Sequence, residues 1–182
     1  MIHAVEDSTR PLSDRLIQGR VINAVSALLR QRLSVPHIYL KPRIPGSTGI
    51  DVLAVDRGGS GDVHGVHLVA MAILPTETGI RKWLAPLRPL PVHFKYLAIQ
   101  ATESTIPLLR KLNQYEELFD STGIGRVGIL AYDESLLDAS APADPALMSV
   151  IVQPERFLVR GEKLNTIEKW LAKAKPDMEV RI

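Results

Sequence analysis

One aspartate at the start of an apolar strand is the first residue of this chain whose position suggests chemistry. Asp51 follows Gly49 and Ile50 and precedes the apolar run 52–55. A carboxylate at a strand end can hold a divalent cation when a neighbouring strand supplies a second anion. The next apolar segment, 66–74, contains no Asp, Glu, Lys or Arg. The pattern therefore indicates half of a metal site.

Asp51 also has a purely structural interpretation. An aspartate after a glycine commonly closes a turn, because its carboxylate accepts hydrogen bonds from nearby backbone N–H groups. The sequence leaves both roles open, a metal ligand or a turn residue.

Four further candidate ligands follow soon after Asp51 in the chain: Asp56, Asp62, His64 and His67. If the site holds metal, we predict Asp51 and Asp62 as its carboxylate ligands. His64 and His67 are three residues apart, so on a regular strand they point to opposite faces and chelate one ion only if a bulge intervenes. Their ordinary roles are a turn position for His64 and a hydrogen-bonded core position for His67.

Basic residues offer a different chemistry, contact with phosphate groups. The candidates for nucleic-acid binding are Arg81, Lys82, Arg88 and Lys95, with Arg110 and Lys111 on a later helix extending the same charge. The alternative is that these are solvated surface charges, as on most helices, and that Lys95 alternates as an exposed residue with Phe94 and Tyr96.

Composition limits the range of functions. The chain has 182 residues, of which 46% are hydrophobic, enough for one substantial core. A net charge of +2 permits nucleic-acid binding without requiring it. The absence of cysteine excludes disulfides, thiolate ligands and a cysteine nucleophile. No stretch approaches the roughly 18 apolar residues of a membrane span, so we expect no membrane partner and a cytoplasmic location.

The periodicity of apolar residues predicts the elements that must position these candidates. Helical spacing covers 12–33, 76–87, 106–119 and 164–174, and strand patterns cover 37–42, 50–55, 63–74, 93–99, 126–132 and 148–152. Residues 133–145 are rich in Ala, Asp, Ser and Pro and are predicted to form an exposed loop. The third strand is too apolar to be half exposed, so we place it centrally in the sheet.

A helix, three strands, a crossover helix and a fourth strand, with an aspartate opening the second strand, resemble the PD-(D/E)XK (restriction-endonuclease-like) superfamily over roughly residues 12–100. The resemblance implies an α/β fold, a mixed central sheet flanked by helices with an αβββαβ core and a C-terminal strand and helix added. We expect one domain, 1–182, with a core at 12–132, an exposed loop at 133–146 and an extension at 147–182.

The resemblance implies a damaged active site. In that superfamily the third strand carries Glu-x-Lys or Asp-x-Lys, whereas Ala70 and Ala72 occupy the corresponding positions here. Asp51 would then be a vestigial catalytic residue. The chain is thus expected to be a catalytically degenerate nuclease-like domain that binds nucleic acid or a protein partner in a DNA-processing or defence assembly, without a cofactor.

Two alternatives stay open at this point. One is an active nuclease with relocated ligands, which would need Mg or Mn. The other is a non-catalytic structural or oligomerising α/β module, a possible homo-oligomer, which the apolar strands suggest.

Overall fold

The computed structural model describes residues 12–32, 37–44, 50–57, 63–72, 75–115, 118, 125–133, 148–159 and 161–176. Within these ranges the chain forms one sheet and several helices. In chain order they are α1 Leu12–Arg32, β1 His37–Leu40, β2 Val52–Arg57, β3 Val63–Ala72, α2 Ile80–Leu84, β4 Phe94–Gln100, α3 Ile106–Lys111, β5 Gly128–Tyr132, β6 Met148–Val152 and α4 Gly161–Leu171.

The six strands lie in the sheet in their order along the chain. β1, β2 and β3 form an antiparallel meander, β3, β4 and β5 run parallel to one another, and β6 returns antiparallel to β5. Parallel neighbours need a crossover connection, which contains α2 between β3 and β4 and α3 between β4 and β5. The predicted mixed α/β architecture is confirmed.

Helices cover both faces of the sheet. On one face, α1 contributes Val21, Val25 and Leu28 to a buried cluster with Val52 and Val69. The opposite face packs against the other helices, in a second cluster that includes Ile80 of α2, Leu108 of α3, Ile167 of α4 and, from the strands, Leu53, Leu68 and Leu97. Because side chains alternate along a strand, each central strand contributes to both clusters. This explains why β3 contains no Asp, Glu, Lys or Arg.

Two helices are shorter than their apolar spacing predicts. The helix expected at 76–87 is limited to Ile80–Leu84, where Pro86 lies just beyond its end and the Thr76 hydroxyl accepts a hydrogen bond from Gly79 N at 3.0 Å before its start. The helix expected at 106–119 is limited to Ile106–Lys111, and the chain then tightens into a 3₁₀ turn over Leu112–Gln114.

Most of the predicted exposed loop, 133–145, lies outside the described residues. Among the helices that the structure describes, none combines the length and the apolar character that a membrane crossing needs.

One glycine fixes the entry to β5, and it provides a test of the packing. Gly125 has a φ of +90°, and a Cβ there would lie 2.6 Å from Cγ of Phe157. We expect Gly125→Ala to lower the free energy of unfolding in urea by about 2 kcal/mol, because both the backbone and the Phe157 contact must adjust. Gly161→Ala is the control, since a Cβ there meets no atom within 4 Å. Equal stability of the two variants would contradict this account of the turn.

Candidate functional site

The carboxylate of Asp51 lies where β2 begins and β3 ends, and both of its oxygens accept hydrogen bonds. Oδ2 accepts from the backbone N–H of Met71 at 2.8 Å, and Oδ1 accepts from Nε2 of Gln18 at 3.0 Å. Met71 belongs to β3 and Gln18 to α1. The carboxylate therefore connects the end of the central strand to the helix that covers it.

The backbone of Asp51 extends the same junction. Its N–H donates to the carbonyl of Val69 at 3.0 Å, and its carbonyl accepts from the N–H of Lys41 at 2.7 Å. Asp51 thus contacts the residue after β1, the end of β3 and α1 together. A metal ion bound by Asp51 would compete with these hydrogen bonds, so the geometry favours the structural role.

The two β3 positions at which the resemblance would place an acid and a lysine hold buried methyl groups. Ala70 and Ala72 are 7% and 1% exposed and belong to the cluster packed under α2, α3 and α4. They lie beside Leu97 and Ile99 of β4.

Burial and, secondarily, the Asp51 carboxylate raise the pKa of Tyr132 to about 12.

Lys95 is not the solvated strand residue that its alternation with Phe94 and Tyr96 suggested. Its side chain is 1% exposed, and Nζ donates to the carbonyl of Arg88 and lies 4.0 Å from the ring centre of Phe157. The sequence expectation was wrong because β4 is covered on both faces. In this position the ammonium lies in the core and not at a surface where phosphate would bind.

The other predicted phosphate-binding residues lie on one side of the molecule. Arg81 and Lys82 of α2 and Arg110 and Lys111 of α3 are exposed, and Arg88 is half-buried. Nζ of Lys111 forms an ion pair with Glu77 at 2.8 Å, just before α2, which links the two helices and raises the pKa of Lys111. The basic residues of α2 and α3 therefore lie on helices that are joined at the surface by this ion pair.

A cleft of about 770 Å³ lies at the other end of β2 and β3, and Asp56, His64, His67, Phe94, Tyr96 and Arg156 line it. Asp56 is five residues from Asp51 along the same strand, which corresponds to roughly 17 Å. The predicted candidates therefore separate into two places: Asp51 at one strand end, and Asp56, His64 and His67 at the other.

A β-bulge places the two histidines at the same cleft. Asp56 pairs with Gly65 and Arg57 with Val63, so His64 is an extra residue between two paired positions. A bulge was the condition under which the sequence allowed the two imidazoles to meet. Asp62, the other predicted metal ligand, lies outside the described residues. In the part of the chain that the structure describes, no group of three or more His, Asp and Glu is arranged to hold a metal ion.

His67 is a buried histidine of this cleft. Its residue is 8% exposed, and its ring stacks on Phe94 with centroids 4.5 Å apart and planes 15° apart. Burial lowers its pKa from the ordinary 6.5 to about 4, with Asp56 opposing this shift and His93 and Arg156 adding to it. Its Nδ1 is buried and has no hydrogen-bond partner among the described residues. The expected local hydrogen bond is therefore absent from that nitrogen.

A second buried histidine, His93, has a hydrogen-bond partner for its Nδ1. Nδ1 of His93 accepts a hydrogen bond from the N–H of Val66 at 3.0 Å. Burial and the nearby Arg156 lower the pKa of His93 as well. His93 therefore has a partner for its buried nitrogen in the sheet, whereas Nδ1 of His67 has none among the described residues.

Arg156 completes the cleft, and sequence reasoning missed it. Its Nη2 donates to the carbonyl of His64 at 2.8 Å, and its guanidinium carbon lies 5.7 Å from the Phe94 ring centre. Arg156 is far from His64 in the sequence and comes close only because β6 returns antiparallel to β5. No local pattern could have indicated that contact.

The role assigned to Asp51 predicts a loss of stability on truncation. We expect Asp51→Ala to lower the free energy of unfolding in urea by about 1–3 kcal/mol, because the N–H of Met71 and the amide of Gln18 both lose their acceptor. Asp51→Asn keeps one acceptor oxygen and should lose less. Wild-type stability in Asp51→Ala would contradict a structural role for the carboxylate.

The lowered pKa of His67 predicts a pH-dependent stability. The unfolded chain binds a proton at His67 below about pH 6.5, whereas the folded chain binds one only below about pH 4. The contribution of neutral His67 to the free energy of unfolding is therefore complete above about pH 6.5 and is lost as the pH falls towards 4. The loss amounts to about 3 kcal/mol. Urea unfolding at pH 7 and pH 4.5 should show a smaller difference for His67→Phe than for the wild type. His64→Gln, at an exposed histidine, should keep the wild-type difference, and an unchanged difference in His67→Phe would refute the assignment.

Comparisons with known proteins identify no family for this chain. No family model matches the chain, and no curated protein matches it. Among solved structures, the chain is similar to the "SPO1766 protein of unknown function from Silicibacter pomeroyi", with 13% sequence identity, a TM-score of 0.43, and coverage of 90% of this chain and 86% of that chain. A likeness of this strength carries no argument about function.

Proposed function

We propose that this protein is a catalytically degenerate, nuclease-like domain that binds nucleic acid through the phosphate backbone. The observation that carries the proposal is the exposed charge of α2 and α3. We call Arg81, Lys82, Arg110 and Lys111 the basic helix pair. All four side chains are exposed.

The orientation of the two helices supports this proposal. Ile80 and Leu84 of α2 and Leu108 and Leu109 of α3 are buried in the same cluster on one face of the sheet. Since the apolar stripes of both helices point inward at the same layer, their charged sides point outward together. The ion pair between Glu77 and Lys111 shows that the two helices are close at the surface.

The expected recognition is electrostatic. Lysine and arginine side chains that neutralise phosphates release condensed counterions, which makes the affinity fall steeply with salt. Such contacts carry no sequence information by themselves. We therefore expect binding with little sequence preference and a marked salt dependence.

The non-catalytic part of the proposal is supported by how the residues of the expected metal site are used. Asp51 holds α1 and β3 together through its carboxylate, and Ala70 and Ala72 present only methyl groups to a packed cluster. A hard cation normally takes several oxygen ligands. One carboxylate already engaged in two hydrogen bonds is a poor basis for such a site.

The active nuclease with relocated ligands is the second candidate, and it would use Mg or Mn. What favours it is that Asp56, His64 and His67 all line one cleft. Cleavage of a plasmid in Mg or Mn by the wild type, lost in Asp56→Asn and retained in Asp51→Asn, would establish this second candidate in place of the first.

Nucleic-acid binding can be measured by fluorescence anisotropy with a labelled duplex. We expect the variant Arg81→Glu/Lys82→Glu/Arg110→Glu to bind at least about tenfold more weakly at low salt and to show a smaller slope of log K against log salt. The charge-matched control is Lys163→Glu/Lys169→Glu/Lys173→Glu, in and just after α4, where all three side chains are also exposed. Equal losses in the two variants would show that total charge matters and not the basic helix pair. The absence of any salt-dependent binding in the wild type would refute the proposal.

A further inference from the structure

An acidic residue lies beside the basic helix pair and engages one of its cations. Oε1 of Glu77 lies 2.8 Å from Nζ of Lys111 and accepts a hydrogen bond from it. Both side chains remain accessible, with exposed fractions of 57% for Lys111 and 46% for Glu77. A hydrogen bond between an ammonium and a carboxylate is of the strong, charge-assisted kind. The contact therefore occupies an ammonium that the proposed function uses for phosphate.

The turn that opens α2 places Glu77 at this position, and the turn that opens α3 has the same construction. The carbonyl of Thr76 accepts a hydrogen bond from the N–H of the first residue of α2 at 2.9 Å, and the carbonyl of Thr102 accepts one from the first residue of α3 at 2.9 Å. An exposed glutamate follows each threonine, Glu77 in one turn and Glu103 in the other. Of the two, Glu77 is the one paired with Lys111. Glu103 is therefore a matched comparison for Glu77.

A phosphate and the Glu77 carboxylate would compete for Lys111. The carboxylate repels an approaching phosphate, because both are negative, and it already accepts a hydrogen bond from the ammonium. A phosphate that binds Lys111 at full strength must therefore displace Glu77. The same attraction acts on protons, since the hydrogen bond and the charge of Glu77 raise the pKa of Lys111.

The competition is expected to be modest in size. Exposed ion pairs are weak because water and salt screen them. Glu77 therefore changes the affinity by about threefold and does not abolish binding. Its effect should be largest at low salt, where screening is weakest.

We propose that Glu77 is an internal competitor of phosphate for Lys111 and so limits the affinity of the basic helix pair for nucleic acid. This inference rests on the proposed function, because it concerns the same surface. It assigns the ion pair between the two helices a regulatory role, in which an anion of the protein itself occupies one phosphate-binding cation.

Fluorescence anisotropy with the labelled duplex tests the inference on the full chain. We expect Glu77→Gln to strengthen binding about threefold more than Glu103→Gln does. It should also steepen the slope of log K against log salt by up to about 0.9, the change for one further phosphate contact. Glu103→Gln removes the same charge from the equivalent turn, so it measures the general effect of losing one negative charge.

Two further measurements show whether the effect depends on the ammonium. With Lys111→Met in the background, Glu77→Gln should strengthen binding no more than Glu103→Gln does. In NMR titrations of the lysine side chains, Glu77→Gln should lower the pKa of Lys111, and this measurement needs no nucleic acid.

Four results would overturn the inference. They are weaker duplex binding by Glu77→Gln, which would make Glu77 a positioning residue for Lys111; equal effects of Glu77→Gln and Glu103→Gln; an excess effect that persists with Lys111→Met; and an unchanged pKa of Lys111. In each case salt-dependent binding by the wild type leaves the proposed function standing. If neither the wild type nor Glu77→Gln binds the duplex, the proposed function and the inference fail together, so the two failures are distinguishable.

Discussion

Burial of the central strands on both faces is the constraint on which the rest of this structure depends. β3, β4 and β5 run parallel, with α1 on one side and α2, α3 and α4 on the other. Every polar group on these strands must therefore find a partner inside the protein or lie at a strand end. Lys95 shows the first solution, since its ammonium reaches the Arg88 carbonyl and the Phe157 ring. Asp51 shows the second at the start of the neighbouring strand β2.

The two ends of β2 and β3 differ in whether their buried polar groups have hydrogen-bond partners. At one end Gln18 of α1 reaches the Asp51 carboxylate, and Met71 N–H satisfies its other oxygen. At the other end His67 lines an open cleft, and its buried Nδ1 has no partner within the described ranges. The Asp51 carboxylate therefore has its partners inside the protein, whereas the other end, which no sequence motif singled out as the primary site, contains a buried nitrogen without a partner among the described residues.

The sequence predicted the fold better than the site, for a physical reason. The order of elements along the chain, the central position of β3 and the approximate helices follow from local apolar spacing, which burial imposes directly. The cleft depends on contacts between residues distant in the chain. Arg156 meets the carbonyl of His64 only through the return of β6, and the bulge at His64 depends on how β2 and β3 pair. The burial of Lys95 was missed because an aliphatic stem can lie in a core while its ammonium finds a carbonyl.

The packing around Ala70 and Ala72 shows what charged side chains at these two positions would cost. Both methyl groups lie in the cluster beneath the helices, next to Leu97 and Ile99. A carboxylate and an ammonium at these positions would have to lose their hydration among apolar neighbours, and an incompletely paired buried charge costs several kcal/mol. Larger side chains would also press against packed strands. The helices that close over β3 therefore stabilise the sheet and disfavour an acidic metal site, so the closed core and the structural use of Asp51 reinforce each other.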